Sequence, residues 1–337
     1  MARYLVTGGA GFIGSNVADE LLRQGETVRI LDDFSTGKEE NIKNLGKEVD
    51  IIEGDIKDFQ TVKKAVKGVE YIIHEAALRS VPYSIEEPVA ANETNVNGTL
   101  NILQAAREAG VKRVVYASSS SVYGDGEVFP QVETFPPRPI SPYAVSKLAG
   151  EYYCRVFYQV YRLETVCLRY FNVFGPRQDP TSQYANVVPI FVMAALNNKT
   201  VEIHGDGRQS RDFTYISDTV EATLLSAKRP QVAGHVFNVA CGESHSVLDL
   251  VREIVEIGGR PLEYSHTKAR EGDPRCTLAD ITKARDLLGY KAKVSFPEGL
   301  RKTWDWFKKR ELDKRSKVRN ISSATHPNLT LRDDRPR

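Results

Sequence analysis

Arg3-Tyr-Leu-Val-Thr-Gly-Gly-Ala-Gly-Phe-Ile-Gly14 decides the fold of this chain. A short apolar run meets glycines at 8, 11 and 14 and passes directly into a helical pattern. Gly8 lets the chain turn sharply off a strand, Gly11 lets bare backbone approach a pyrophosphate, and Gly14 lets a helix pack tightly against the strand. A helix N-terminus offers free N–H groups and partial positive charge to phosphates. This order of elements predicts a dinucleotide site.

Working outward, a second apolar run, Thr27-Val-Arg-Ile-Leu31, ends in Asp32-Asp33. The acid falls near the ~20-residue spacing at which a carboxylate meets the adenosine ribose. A carboxylate there accepts from the 2′- and 3′-hydroxyls and repels a 2′-phosphate, so the spacing predicts NAD rather than NADP. Asp33 can equally serve as a turn cap.

With 337 residues the chain can bury a sizeable core, organised as two lobes. A hydrophobic content of 41%, a charged content of 27% and a net charge of +2 give no reason to invoke nucleic acid or a membrane surface. The 4 cysteines are scattered with no Cys-x-x-Cys pair, which fits a reducing, cytoplasmic setting and argues against a disulfide framework. The 6 histidines show no metal-ligand spacing, so no metal is expected. Glycines interrupt the N-terminal apolar run at once, which reads against a signal peptide.

Strands are predicted at 3–7, 27–32, 49–54, 69–75, 113–118 and 164–169, with helices at 12–24, 58–67, 88–109 and 142–162 between them. Near-continuous Val/Ile/Leu strands alternating with helices imply an α/β, Rossmann-like, doubly wound parallel sheet. Ligands of such a sheet collect at the C-terminal strand ends. The rhythm breaks after about residue 172, where Pro176, Pro180 and Pro189 mark loops. Residues 1–172 are read as the NAD-binding domain, with 211–241 folding back onto it. Residues 173–210 and 242–312 are read as a smaller lobe; beyond residue 172, strands are read near 201–203, 235–240 and 262–264 and helices at 246–257 and 296–310. The polar, proline-punctuated tail at 313–337 is expected to be disordered.

The chemistry is concentrated in Ser141-Pro-Tyr-Ala-Val-Ser-Lys147. Ser141 suits an N-cap and Pro142 a first helical position. Tyr143 and Lys147 then share one helix face. Lowering a phenol pKa from about 10 by ~3 units takes roughly 4 kcal/mol. One ammonium at ~4 Å in an effective dielectric of ~20 supplies about that much. A second Tyr-x-x-x-Lys, at Tyr264 and Lys268, lacks a glycine loop and a serine cluster and is read as chance. The first has both, because Ser118-Ser-Ser-Ser121 closes the preceding strand.

Taken together, these motifs resemble the extended short-chain dehydrogenase/reductases that act on nucleotide sugars, and most of all the NAD-dependent UDP-hexose 4-epimerases. The likeness covers roughly residues 3 to 310. It is carried by the opening glycines, Gly54-Asp-Ile56, His74-Glu-Ala-Ala77, Asn95-Val-Asn-Gly-Thr99, Ser118-Ser-Ser-Ser-Val-Tyr-Gly124, Tyr143 with Lys147, Leu168-Arg-Tyr-Phe-Asn-Val-Phe-Gly-Pro176, Gly205-Asp-Gly207 and Arg211-Asp-Phe213. The resemblance implies catalysis by Tyr143 and Lys147 with Ser119, and Ser120 next in line. It implies tightly bound NAD against Gly8, Gly11, Phe12, Ile13, Gly14, Asp32, Asp33, Ser35, Thr36, Gly37, Asp55, Ile56, Ala76, Ala77, Asn95, Ser118, Tyr143, Lys147, Tyr170 and Val173. It implies a UDP-sugar against Ser80, Ser119, Ser120, Tyr143, Asn172, His204, Arg211, Arg270, Asp273 and Thr277, in the smaller lobe and at its border. A homodimer through a four-helix bundle, formed by the helices at 88–109 and 142–162, is also implied.

Local details bear on the branch. Sugar dehydratases similar to this chain carry Thr-Asp-Glu where it has Ser119-Ser-Ser121. Relatives acting on UDP-glucuronate usually carry threonine where it has Asn172. Thr277 aligns with a position where tyrosine excludes an N-acetyl group, so the resemblance implies UDP-Glc/UDP-Gal together with UDP-GlcNAc/UDP-GalNAc. Arg79 departs from the glycine of N-acetylhexosamine relatives. It either receives a carboxylate, as a UDP-glucuronate 4-epimerase or decarboxylase would need, or points to solvent or a phosphate.

Overall fold

A computed structural model describes residues 3–46, 49–181, 186–269 and 274–324, with side chains through 313. The opening segment forms β1 (Tyr4–Thr7), the glycine turn and the helix Phe12–Arg23. The pattern repeats through β2 (Val28–Asp32), β3 (Asp50–Glu53), β4 (Tyr71–His74), β5 (Arg113–Ser119) and β6 (Glu164–Tyr170). A seventh strand, Val236–Val239, pairs parallel with β6. The sheet order is Val236–Val239, β6, β5, β4, β1, β2, β3, and every pairing is parallel. The order reverses between β1 and β4, which opens a crevice at their C-terminal ends.

Alternation along each strand explains why helices cover both faces. Tyr4 and Val6 pack into one apolar cluster with Val17, Leu21 and Val220, while Leu5 belongs to the other, with Val62, Ile102 and Phe157. The helices Phe12–Arg23 and Ile216–Lys228 therefore lie on one face, and Phe59–Val66, Gly98–Ala109 and Pro142–Tyr161 on the other.

Several expectations need adjustment. The helix expected over 88–109 is a rod with a wide turn inside it: Pro88–Asn92, a π-helical turn Glu93–Asn97, then Gly98–Ala109. The strand expected at 262–264 lies at Tyr264–Thr267, paired with Val201–His204, so Tyr264 and Lys268 do not share a helix. The expectation of disorder over 313–337 is corrected for 313–324, where the final helix Phe296–Ala324 continues; 325–337 lie outside the described residues. The helices Val187–Leu196 and Ile216–Lys228 escape the sequence reading: the first is apolar nearly all round, and the second buries polar Asp218, Thr219, Thr223 and Ser226 with its apolar residues, so neither shows an apolar face opposite a polar one. Among the described residues, no helix is long and apolar enough to cross a membrane.

Candidate active site

The glycine turn is built by contact. Gly8 has φ +66, and a Cβ on it would fall 2.7 Å from the Ala76 nitrogen. On Gly14 a Cβ would fall 2.2 Å from the Gly8 carbonyl oxygen, so the helix rests on the turn itself. Gly11 precedes the helix and no side chain caps it, so the first-turn N–H groups of Phe12, Ile13 and Gly14 are left for an anion. Asp32 closes the far side. Its Oδ2 accepts from the Ala10 N–H at 2.8 Å and its Oδ1 from the Phe34 N–H at 2.9 Å. A Cβ on Gly37 would stand 2.5 Å from that Oδ1, so glycine is what lets the loop approach the carboxylate. Burial pushes the Asp32 carboxyl up, so the loop holds a charge that gains from ligand hydroxyls. A cradle that a single Cβ would fill, with an acid at its rim, fits the pyrophosphate and ribose of NAD.

Other expected cofactor residues are placed less directly. Asp33 and Ser35 bond each other in an exposed turn, beside exposed Thr36. Asp55 accepts from the Lys57 N–H, and the Ile56 side chain packs against Gly98. Asn95 gives both amide protons away, to the Leu78 carbonyl and the Ser146 hydroxyl, and its oxygen accepts from the Leu78 N–H. It braces the loop after β4, where Ala76 and Ala77 sit. The Ser118 hydroxyl donates to Glu151 Oε1 at 2.5 Å, inside a buried ion pair between Glu151 and Arg169. Val173 is buried in a two-residue strand paired with Thr214–Tyr215.

Tyr143 is the second residue of the helix Pro142–Tyr161, and the Ser141 hydroxyl accepts from the Ala144 N–H as its cap. The Tyr143 N–H donates to Ser84 Oγ at 3.0 Å, and its carbonyl accepts from Ser146 Oγ at 2.8 Å. Ser84 and Ser146 thus fix the tyrosine; no sequence signal marks them. The Ser119 hydroxyl bonds the phenol and lowers its pKa, but burial is larger and pushes it up. Lys147 is 4% exposed, and its ammonium donates to the Ala117 carbonyl at 2.8 Å, 5.9 Å from the centre of the Tyr143 ring. Burial pushes its pKa down to about 8. The positive charge opposing burial of the phenolate comes from Arg79. The acidification expected from Lys147 is therefore not what the folded chain displays: burial pushes the phenol up, and the groups that oppose it are Ser119 and Arg79. Ser120 starts a short 3-10 turn beside Ser119.

A hydroxyl–imidazole chain ties the crevice floor together. Thr99 Oγ1 gives its proton to the Asn95 carbonyl, so His74 Nε2 is the ring donor to Thr99 and His74 Nδ1 accepts from Thr7. Thr7 Oγ1 in turn accepts from the Ala76 N–H. Burial holds His74 neutral, with its pKa down at about 3.

A model of the NAD dependent epimerase/dehydratase family matches residues 4–240. The chain belongs to that family. It is 40% identical over 314 residues to a UDP-glucose 4-epimerase of Mycolicibacterium smegmatis, covering 91% of this chain and 98% of the relative. Its structure is similar to that of a UDP-glucose 4-epimerase of Thermotoga maritima with UDP-glucose, at a TM-score of 0.87 and 39% identity, over 91% of this chain and 99% of the other. A UDP-N-acetylglucosamine 4-epimerase of Methanobrevibacter ruminantium in complex with UDP-N-acetylmuramic acid matches equally, at 0.87 and 39%, over 92% and 99%. Proteins described as UDP-glucuronate 4-epimerase and UDP-glucuronic acid decarboxylase also match. Family members have been solved with NAD, and this chain is an NAD-dependent enzyme of the UDP-sugar epimerase family.

In this epimerase-family chain, two of the residues expected to meet the sugar nucleotide, Asn172 and Thr277, meet after β6, with Arg211 next to their partner Asp212. Asn172 stands at φ +34, a conformation asparagine tolerates better than most residues. Its Nδ2 donates to Thr277 Oγ1 at 2.9 Å, and the Asp212 N–H donates to the same hydroxyl at 3.1 Å. Asp212 accepts from the N–H groups of Cys241, Gly242 and Ala279, so it ties its own segment to two others. Neighbouring Arg211 is buried, and its Nη1 donates to the Ser210 carbonyl. His204 bonds Thr267 at the end of the small two-stranded sheet. Ser80 caps the helix Val81–Glu86 by accepting from the Tyr83 N–H. Arg270 and Asp273 lie outside the described residues.

Proposed function

We propose that the protein interconverts the C4 epimers of UDP-hexoses, taking UDP-Glc/UDP-Gal and also UDP-GlcNAc/UDP-GalNAc. The observation that carries the chemistry is the Ser119 hydroxyl bonded to the Tyr143 phenol, with the Lys147 ammonium 5.9 Å from the centre of the ring. Bound NAD supplies a hydride acceptor and, later in the turnover, a donor. Tyr143 takes the C4 hydroxyl proton as the sugar is oxidised to a 4-keto form, and returns it after the sugar presents its other face. Ser119 bonds the same phenol and steadies it. Lys147, held by Ala117, keeps a positive charge below the tyrosine.

Thr277 sets the substrate range. Its hydroxyl is fixed by Asn172 and Asp212, so the side chain stays small and cannot swing into the pocket. A tyrosine at that place would fill the room an N-acetyl group needs. The absence of an acid at 120 and 121 leaves no group to expel a C6 hydroxyl, which disfavours 4,6-dehydration. A second reading, a C6 carboxylate substrate, is favoured by the exposed Arg79, whose charge acts at Tyr143. Incubating the protein with UDP-Glc, UDP-GlcNAc and UDP-GlcA and resolving the C4 epimers tests both. Turnover of UDP-GlcA alone would replace the first reading by the second.

The assembly reading is a homodimer. Val145, Tyr152, Val156 and Val160 are exposed along one side of the helix Pro142–Tyr161, with Val89 exposed on the neighbouring rod. Such a stripe suits a four-helix contact between two copies. Light scattering of the wild type and of Val156→Glu tests it, the variant being monomeric if the reading holds. The remaining proposals are the division into an NAD lobe and a sugar-nucleotide lobe, and a cytoplasmic setting, which suits four free thiols.

A further inference from the structure

Lys147 is a buried ammonium with no carboxylate in ion-pair contact among the described residues; it donates to the Ala117 carbonyl. The larger negative charge acting on it belongs to Glu75, the first residue after β4, ahead of the Cys154 thiol. Glu75 N–H donates to the Thr7 carbonyl, which pins the residue at the crevice floor. Its Oε1 lies 2.8 Å from the Tyr170 hydroxyl, and that hydroxyl lies 2.8 Å from Thr223 Oγ1. Thr223 Oγ1 is also 2.8 Å from the Thr219 carbonyl, which can only accept.

Counting protons along this chain gives two states. With Glu75 protonated, each group donates to the next: Glu75 to Tyr170, Tyr170 to Thr223, Thr223 to Thr219. With Glu75 ionised, the single Tyr170 proton turns back to the carboxylate, and Thr223 can no longer satisfy both neighbours. The hydroxyl chain therefore accommodates a neutral Glu75 fully and a charged one at the loss of one bond.

We propose that Glu75 is a positioning residue whose charge, governed by the Tyr170–Thr223 hydroxyl chain, sets the protonation of Lys147 and Tyr143 together. This deepens the epimerase reading of Tyr143 and Lys147 and rests on it. The groups that act on Glu75 or feel its charge are Tyr170 from β6, itself bonded to Thr223 of the helix Ile216–Lys228, and Lys147 and Tyr143 from the helix Pro142–Tyr161; neutral His74 precedes it in the chain. Burial raises the Glu75 carboxyl to about 7, so it is charged only above that pH. Lys147 keeps its proton below about 8. Both are charged only in the narrow interval between, where the ammonium has its counter-charge. An ionised Glu75 raises the pKa of Lys147 and that of Tyr143.

Glu75→Gln keeps an acceptor for Tyr170 and removes the charge. Both limbs of the kcat–pH profile for UDP-glucose should then move to lower pH, by about one unit. Glu75→Asp should bring them back toward the wild type. A bond with only a structural role would lower the rate and leave the limbs in place, and that result overturns the proposal. Thr223→Val gives the opposite sign: it removes the acceptor that favours neutral Glu75, keeps the charge to lower pH, and should move the acid limb up. This holds the proposal to account if Glu75→Gln does not fold. If the wild type turns over no UDP-sugar, the epimerase reading fails separately. The tyrosinate absorbance titration of full-length protein, with Tyr143→Phe as the blank, then reads the same coupling: a Tyr143 titration at lower pH in Glu75→Gln supports it, and an unchanged one ends it.

Discussion

Gly14→Ala and Gly11→Ala look alike on paper and should fail differently. At Gly14 the new Cβ would sit 2.2 Å from the Gly8 carbonyl oxygen and 2.9 Å from the Gly9 Cα, both backbone atoms that cannot swivel aside. The helix Phe12–Arg23 must withdraw by roughly 1 Å to restore an ordinary contact. Alanine returns up to ~1 kcal/mol of helix propensity, but overpacking against fixed atoms costs about 1–3 kcal/mol or more, so a net loss of ~2 kcal/mol is expected. The withdrawal also pulls first-turn N–H groups from the pyrophosphate. Losing one charge-assisted bond of ~2 kcal/mol lowers NAD affinity about 30-fold. At Gly11, φ is −73 and the Cβ would meet only the Gly8 oxygen, at 3.1 Å. That shift is a few tenths of an ångström, so stability should change by less than about 1 kcal/mol, while the Cβ still stands where the phosphates come closest. Urea unfolding of the NAD-free proteins and NAD titration by fluorescence separate the two effects. A wild-type midpoint for Gly14→Ala, or an unstable Gly11→Ala, would refute the reasoning.

Tyr143→Phe should lower turnover by about 10²–10⁴-fold with NAD affinity nearly unchanged; steady-state rates and an NAD titration check this. Glu151→Ala leaves Arg169 buried and unpaired beside Ser118, and should destabilise the fold by about 3–5 kcal/mol, read as a drop in the denaturant midpoint. The His74 imidazole has its pKa lowered from 6.5 to about 3 by burial, so the unfolded chain binds a proton that the folded chain does not across that window. Its contribution is present above pH 6.5 and is lost as pH falls toward 3. His74→Gln should therefore flatten the stability–pH curve there by up to about 1.4 kcal/mol per pH unit; an unchanged slope would show that His74 is not buried in its neutral form.

The sequence alone determined what depends on neighbours along the chain. The glycines at 8, 11 and 14, the run into Asp32, and the Ser141–Lys147 segment encode their own turns, caps and helix faces. Continuous apolar strands separated by helical patterns leave one economical solution, a parallel sheet covered on both faces. The π-helical turn at 93–97 was hidden because its cause is distant: Asn95 is held by Leu78 and Ser146. Ser84, Thr223 and Glu75 gave no sign for the same reason, each acting through a partner far away in sequence. The acidity of Tyr143 is the clearest case. Its spacing from Lys147 is a local fact, but burial, Ser119, Arg79 and Glu75 together fix its charge, and only the assembled crevice brings them within reach. Covalent spacing fixes periodicity and local hydrogen bonds; desolvation and charge coupling depend on distance in space, so tertiary structure decides them.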